Sequence, residues 1–226
     1  MTFEDVSFPE PKANLEYDDS LLKRADAGQI SEVLRFWESP ELFVVLGRTC
    51  KDEDDVYSDV CREDSVMVLR RSSGGGTVLQ GPGCLNFSLV LSKKSHPDLQ
   101  SIHASYKFIL EKIVLALKEL GVEAYFRPVC DLVLGEGEKK FSGNAQRRGR
   151  EFILHHGTIL YDFDLALISS SPAAYPNIPA SCWKVMGWKP TTIFASKLSS
   201  YGRPSTQWIS SSSVWSEPLK TILNRV

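Results

Sequence analysis

Three short stretches hold the residues whose types and spacing can do chemistry. The first is Arg70-Arg71-Ser72-Ser73-Gly74-Gly75-Gly76. Three consecutive glycines leave a backbone without Cβ atoms, able to approach a ligand closely and to adopt positive φ. Their N–H groups can form a concave nest for an anion, and a guanidinium can grip a carboxylate or phosphate through two hydrogen bonds. The second stretch, Lys139-Lys140-Phe141-Ser142-Gly143-Asn144-Ala145-Gln146, puts a lysine at a strand edge beside a small-residue turn. There its point charge can reach a phosphate or a carbonyl oxygen. The third is His155-His156-Gly157-Thr158. Adjacent histidines on a strand point to opposite faces, so the pair cannot chelate one metal. The glycine run fits neither the Walker pattern nor GxGxxG. Taken singly, each stretch is also what an ordinary surface turn or hairpin contains, and none decides the chemistry alone.

The elements that must position these groups follow from hydrophobic spacing. Residues 14–25 read as a helix anchored by Leu15, Leu21 and Leu22. Residues 33–37 and 42–46 are short apolar runs split by Ser39-Pro40, two strands around a turn. Residues 51–64 are acidic and polar, a loop with a short exposed helix, and 66–69 form a buried strand running into the double arginine. Residues 86–91 are the next strand. Over 106–120, Ile109, Ile113, Ala116, Leu117 and Leu120 recur at helical spacing, with Gly121 placed to end the helix. Strands are expected at 123–127, 131–134 and 151–161. In the last, Leu154, His156 and Thr158 share one face while Ile153, His155 and Ile159 share the other. This is mixed α/β, or α+β: a largely antiparallel sheet flanked by helices.

Composition sets the outer limits. Of 226 residues, 42% are hydrophobic and 24% charged, as in a globular protein with a real core. The net charge of −2 argues against an obligate nucleic-acid binder. Residues 1–64 hold 17 acids against 7 bases, net −10, so 65–226 carry +8, which suits an anionic ligand or an acidic partner. The five cysteines form no CxxC pair, which favours reduced thiols and a cytoplasmic setting. The opening Met1-Thr2-Phe3-Glu4-Asp5 reads as neither a secretory signal nor a transit peptide, and no apolar run is long enough to span a membrane. Two parts are expected, 1–168 as the catalytic domain and 169–226 as an atypical Ser-rich segment. Nine of the residues from Ala195 to Pro218 are serine, so that segment is expected to pack loosely around Trp208 and Trp215.

In order and spacing, RRSSGGGTVLQGPGCLNFSLVL (70–91), CDLVLGEGEKKFSGNAQ (130–146) and LHHGTILYDFDL (154–165) resemble the lipoate–protein ligase A group of the biotin/lipoate ligase and octanoyltransferase superfamily. RFWESPELFVVLGR (35–48) is similar to the segment that precedes its arginine–glycine loop. The resemblance covers roughly residues 14–165 and implies a fold like class II aminoacyl-tRNA and biotin synthetases. It implies activation of lipoate or octanoate with ATP and Mg²⁺ to an acyl-adenylate. The acyl group would then pass to a lysine of an acidic lipoyl domain, from a 2-oxoacid dehydrogenase complex or a glycine cleavage H protein. Carried over, Arg71 would contact nucleotide phosphate. Gly76, Thr77, Val78 and Leu79 would line the adenylate pocket through their backbone. Lys140 would hold the acyl carboxylate and the α-phosphate, with Asp131 as its preceding aspartate and His156, Gly157 and Thr158 as a wall. Arg70, Ser73, Gly74, Gly75, Gln80, Asn86, Ser142 and Gly143 complete the expected binding set. The metal ligands stay unknown.

Gln80 departs from the histidine many ligases carry there, keeping hydrogen bonding without a group that titrates near neutral pH. Two rival readings stay open. One is an octanoyltransferase working through a cysteine thioester, for which Cys130 and Cys84 are the thiols near the motifs. The other is a non-catalytic relative that holds a lipoyl or acyl group. Biotin ligase is a weaker third, because the double-Arg, triple-Gly loop matches the lipoate branch better.

Overall fold

The computed structural model describes residues 1–51, 56, 58–135 and 139–163, with Val60 described by its backbone alone. Seven strands form the main sheet: β1 (Thr2–Asp5), β2 (Val33–Trp37), β6 (Cys84–Ser92), β7 (Ala124–Arg127), β8 (Asp131–Leu134), β9 (Lys139–Arg148) and β10 (Phe152–Leu160). Their order is β1-β2-β6-β10-β9-β8-β7, and every pair is antiparallel except β1·β2. A small second sheet holds β4 (Met67–Arg70), β3 (Phe43–Leu46) and β5 (Val78–Gln80) in the order β4-β3-β5. The helices are α1 (Pro11–Asp26), α2 (Ser58–Glu63) and α3 (Ile102–Glu119), with a 3₁₀ turn at Pro97–Gln100.

Strand alternation sorts the side chains into two layers. Leu34 and Phe36 of β2, Leu85, Phe87, Leu89 and Leu91 of β6, and Ile153 and Ile159 of β10 face α3. There they pack on its Ile109, Leu110, Ile113, Ala116 and Leu117 stripe. Ser101 caps α3 by accepting from the Ala104 N–H, and Gly121, at φ +73°, ends it through the Lys118 carbonyl. The opposite face receives α1, whose Leu21, Leu22 and Ala25 meet Val33, Val90 and Leu154.

The α1 face also buries a charge. Arg35 of β2 is fully buried, donating to Asp18 at 2.6 Å and to the Asn14 side chain at 2.7 Å, with the Tyr17 ring 4.7 Å from its guanidinium carbon. Asp18 in turn accepts from Trp37 Nε1 at 3.2 Å and Ser88 Oγ at 2.7 Å. Burial pushes the Asp18 carboxyl above its ordinary range, while Arg35 and these donors pull it back. A buried charge is tolerated only when paired and hydrogen-bonded like this. The network fixes α1 on the sheet and sets the angle of the Trp37 indole.

Three expectations need correction. The runs at 33–37 and 42–46 do not pair: β2 joins the main sheet and β3 the small one, so Ser39-Pro40 is a crossing between sheets. Strand β4 has half-exposed side chains rather than buried ones, because among the described residues it pairs only with β3. The stretch from Lys139 to Gln146 is not a turn but most of a ten-residue strand, since Gly143 pairs in register with both Asp131 and Thr158. Strands β1 and β5 went unread; each is too short to show a period. The 169–226 segment, with Trp208 and Trp215, lies outside the described residues. No helix among the described residues is long and apolar enough to cross a membrane.

Candidate active site

A cleft opens between the α1 face of the main sheet and the small sheet. Strand β10 supplies His156, Gly157 and Thr158; β6 supplies Asn86; β9 supplies Lys140, Ser142 and Gly143; β8 begins with Asp131. From the small sheet come Val45 of β3 and Val78, Leu79 and Gln80 of β5, and from the connecting loop come Arg71, Gly75, Gly76 and Thr77. All but three of the expected residues therefore converge on one cleft. Leu15 of α1, Trp37 at the end of β2 and Leu160 of β10 add an apolar wall that went unread, because nothing in the sequence distinguishes such residues from core.

The three that do not line the cleft are Arg70, Ser73 and Gly74. Arg70 turns back, donating to the Gly47 carbonyl at 2.8 Å and the Cys50 carbonyl at 2.7 Å. Ser73 is buried behind the loop, its Oγ 2.6 Å from His156 Nε2. The Cβ that a residue at 74 would carry meets nothing within 4 Å.

Arg71 braces the glycine loop from inside. Its guanidinium donates to the Gly74 carbonyl at 2.9 Å, the Gly76 carbonyl at 2.7 Å and the Val45 carbonyl at 3.3 Å. Across a trans peptide the N–H points opposite to the carbonyl before it, so the Gly75 and Thr77 N–H groups are turned away from the guanidinium. Gly75 sits at φ +89°, where side chains are disfavoured, and a Cβ there would lie 2.9 Å from Arg71 Nη2. Its carbonyl accepts from Cys50 Sγ at 3.4 Å, and the Gly75 backbone passes so close to Gly47 that a Cβ on Gly47 would overlap it.

On the floor, a β-bulge aims the lysine. Lys140 pairs with Val133 and Ser142 with Leu132, leaving Phe141 as the extra residue. The bulge lets Phe141 enter the α3 core while putting Lys140 on the face of Asp131 and Val133. Lys140 Nζ reaches Asp131 Oδ1 at 2.8 Å, and Arg127 holds Oδ2 at 3.0 Å. A second polar chain crosses between the sheets: Gln80 Nε2 donates to Thr158 Oγ1 at 2.6 Å, and Thr158 donates to Asn86 Oδ1 at 2.7 Å.

Four titrating groups in and behind the cleft are displaced. His156 is pushed down to about 3, by burial first and by the nearby Arg71 second, so its imidazole is neutral in ordinary buffers. His155 is also pushed down to about 3 by burial; it packs against Phe87 and Tyr106 on the α3 side, away from the cleft. The Cys130 thiol lines the cleft, and burial together with Asp131 raises it above the usual thiol range despite Lys140. Cys84 is fully buried and raised further by that burial. Among the described residues, no three His, Cys, Asp or Glu side chains gather at a point that could hold a metal ion.

The cleft thus combines an apolar wall, a braced glycine loop and a lysine aimed by a bulge. The chain belongs to the lipoyl protein ligase A/B catalytic domain family, whose sequence model matches residues 10–180. It is 32% identical to the lipoate-protein ligase LplJ of Bacillus subtilis over 153 residues, 68% of this chain and 43% of that protein. It is also 32% identical to the octanoyltransferase LipM of Lysinibacillus sphaericus over 178 aligned residues, 68% of this chain and 63% of that one. The chain thus spans under half the length of that ligase and under two thirds of that transferase. Its fold is similar to a structure from a study of an archaeal lipoylation system, a bipartite lipoate protein ligase and its E2 lipoyl domain from Thermoplasma acidophilum. There the TM-score is 0.70 and the identity 23%, covering 99% of this chain and 80% of the other.

Proposed function

We propose that this domain activates lipoate or octanoate with ATP to an acyl-adenylate and transfers the acyl group to a lysine of a lipoyl domain. The observation that carries the reading is the convergence of Lys140 with the braced loop at Gly75, Gly76 and Thr77 in one cleft. Leu15, Trp37, Val45, Val78 and Leu160 supply an apolar wall for an acyl chain, and Lys140 a cation for its carboxylate.

The chemistry asks for little more. Adenylation brings a carboxylate and a triphosphate together, so the two charges must be neutralised and held in line. On this reading Lys140 binds the carboxylate, and the N–H groups of the glycine loop receive phosphate. Neutral His156, held by Ser73, forms a wall without adding charge. The acceptor lysine arrives on the partner, so no enzyme nucleophile is required. Magnesium suits the site as a companion of the nucleotide: Asp131 is already engaged by two cations, and Mg²⁺ is commonly held by substrate phosphates with few protein ligands. Bound there, it would neutralise triphosphate charge. The positive balance of residues 65–226 fits an acidic acceptor domain, either of a 2-oxoacid dehydrogenase complex or of the glycine cleavage H protein.

Octanoyl transfer through Cys130 is the second reading, favoured by the likeness to LipM. A thiol raised by burial and by an adjacent carboxylate is a poor nucleophile, which ranks that reading lower. The test is to incubate the protein with ATP, Mg²⁺, lipoate and an apo lipoyl domain and to read the acceptor's mass. A lipoyl mass gain that requires ATP supports the ligase, whereas gain only from octanoyl-acyl carrier protein, without ATP, overturns it.

A further inference from the structure

One row of residues crosses the main sheet along the floor of the cleft. Strand register pairs Asp131 with Gly143, Gly143 with Thr158, Thr158 with Asn86, and Asn86 with Trp37. All five line the cleft. Lys140 lies over the start of the row, since a Cβ on Gly143 would come within 3.4 Å of its Nζ. Trp37 stands at the far end. Neighbouring strands are about 4.8 Å apart, so Thr158 and Asn86 lie roughly 5 and 10 Å beyond Gly143. An extended chain advances about 1.2 Å per bond. A medium-length acid with its carboxylate on Lys140 therefore passes Thr158 and Asn86 with roughly its fourth to eighth carbons.

That stretch of floor is polar. Gln80 of the small sheet, only 7% exposed, meets Thr158 across the cleft, and the three side chains are joined in one direction. Asn86 Nδ2 donates to the Cys84 carbonyl at 3.3 Å, and a backbone carbonyl can only accept. Asn86 Oδ1 must then face Thr158 and take its hydroxyl proton, which leaves Thr158 Oγ1 to accept from Gln80 Nε2. The chain ends on Gln80 Oε1. That oxygen is buried and has no hydrogen-bond partner among the described residues. A buried acceptor without a donor is destabilising, and most are satisfied. Octanoate and the cyclic disulfide of lipoate cannot satisfy it, because their chains carry no O–H, N–H or S–H group.

We propose that Gln80 selects an acyl substrate that carries a hydrogen-bond donor, a hydroxyl or a thiol, on the distal half of a medium-length chain. The proposal rests on the reading that Lys140 holds the acyl carboxylate and that the chain runs toward Trp37. It makes the Gln80–Thr158–Asn86 chain a specificity element, with its direction set by the Cys84 carbonyl and its open end presented to the substrate.

The experiment is calorimetric titration of four acids into the intact chain: octanoate, octanoate hydroxylated on the sixth carbon, octanoate hydroxylated on the eighth, and octanoate with a terminal thiol. At least one substituted acid should bind about 5- to 100-fold more tightly than octanoate, the range expected when a buried unpaired acceptor gains its donor. A hydroxy acid in first place identifies the donor as O–H, and the thiol in first place identifies it as S–H. Gln80→Met keeps the length of the side chain without the acceptor and should erase the advantage. Should Gln80→Met fail to fold, the wild-type series alone decides the matter. No substituted acid tighter than octanoate overturns the proposal, and so does a preference that survives in Gln80→Met. A loss of ATP affinity in Gln80→Met with the ranking of the acids unchanged assigns the donor to the nucleotide and also overturns it. A wild-type chain that binds none of the four acids and no lipoate is a different result: it overturns the functional reading itself, and this proposal with it.

Discussion

Ser73 Oγ lies 2.6 Å from His156 Nε2, joining the loop that ends in three glycines to the floor of the main sheet across 83 residues of sequence. Through this contact the small sheet and the large one share one wall of the cleft. The His156 imidazole receives it in the neutral form, since burial and Arg71 hold its pKa near 3.

The first prediction follows from that neutrality. His155 and His156 both bind their proton less readily in the fold than in the unfolded chain, whose ordinary value is about 6.5. Between about 3 and 6.5 the unfolded chain binds more protons. The stability contribution is therefore fully present above 6.5 and is lost as the pH falls toward 3. Melting temperature should hold steady with respect to these groups from pH 8 to 7 and drop progressively from pH 6 to 4. Imidazole NMR should show both rings neutral at pH 6; a His156 midpoint near 6.5 would contradict the wall described here.

A second prediction separates neighbouring glycines. Gly74→Ala adds a Cβ that meets nothing within 4 Å and should leave acyl-adenylate analogue binding within a few-fold of wild type. Gly75→Val forces a branched side chain into φ +89° and against Arg71, so the brace on the loop must shift. A cost of about 1–3 kcal/mol is expected from the backbone strain alone, and calorimetry should show analogue binding reduced by tenfold or more. Equal binding in the two variants would mean the loop does not cradle the ligand.

Much of this arrangement was legible in the sequence, and the exceptions have physical causes. The face assignment on β10 follows from strict alternation over its nine residues, which leaves no freedom: His155 faces α3 if His156 faces the cleft. The three chemical stretches met because each lies on a paired strand or on the loop between strands. The β9 bulge was invisible, since one extra residue changes no composition and Gly143 looks like a turn residue until its two partners are known. Arg71 reaches the cleft as expected and also donates to the Gly74 and Gly76 carbonyls, a backbone demand that residue types do not announce. Arg127 gave no signal, because its meaning lies in sharing one carboxylate with a lysine on another strand.

A third prediction concerns the thiol. Cys130→Ser should keep most of the acyl-transfer rate, and mass spectrometry after incubation with octanoyl-acyl carrier protein should find no thioester. Both outcomes follow from a thiol whose proton is held by burial and by Asp131. A stable octanoyl adduct on Cys130 would reverse the order of the two readings.

A fourth prediction sets the boundary of the site. Among the described residues, those lining the cleft lie between 15 and 160. A chain ending near Ser171 should fold and still bind an acyl-adenylate analogue. If it folds and has lost the analogue, the segment beyond supplies part of the pocket.

The central claim is that Lys140 and the glycine loop activate an acyl carboxylate with ATP, and pyrophosphate exchange in the absence of any acceptor tests it most directly. Radiolabelled pyrophosphate should enter ATP when lipoate or octanoate is present and should not when biotin replaces them. Lys140→Ala should fold normally yet lose roughly 100- to 1,000-fold in exchange rate, the scale of removing one charge-stabilising donor from a transition state. Exchange at the wild-type rate in Lys140→Ala, or no acyl-dependent exchange in the wild type, would contradict the account.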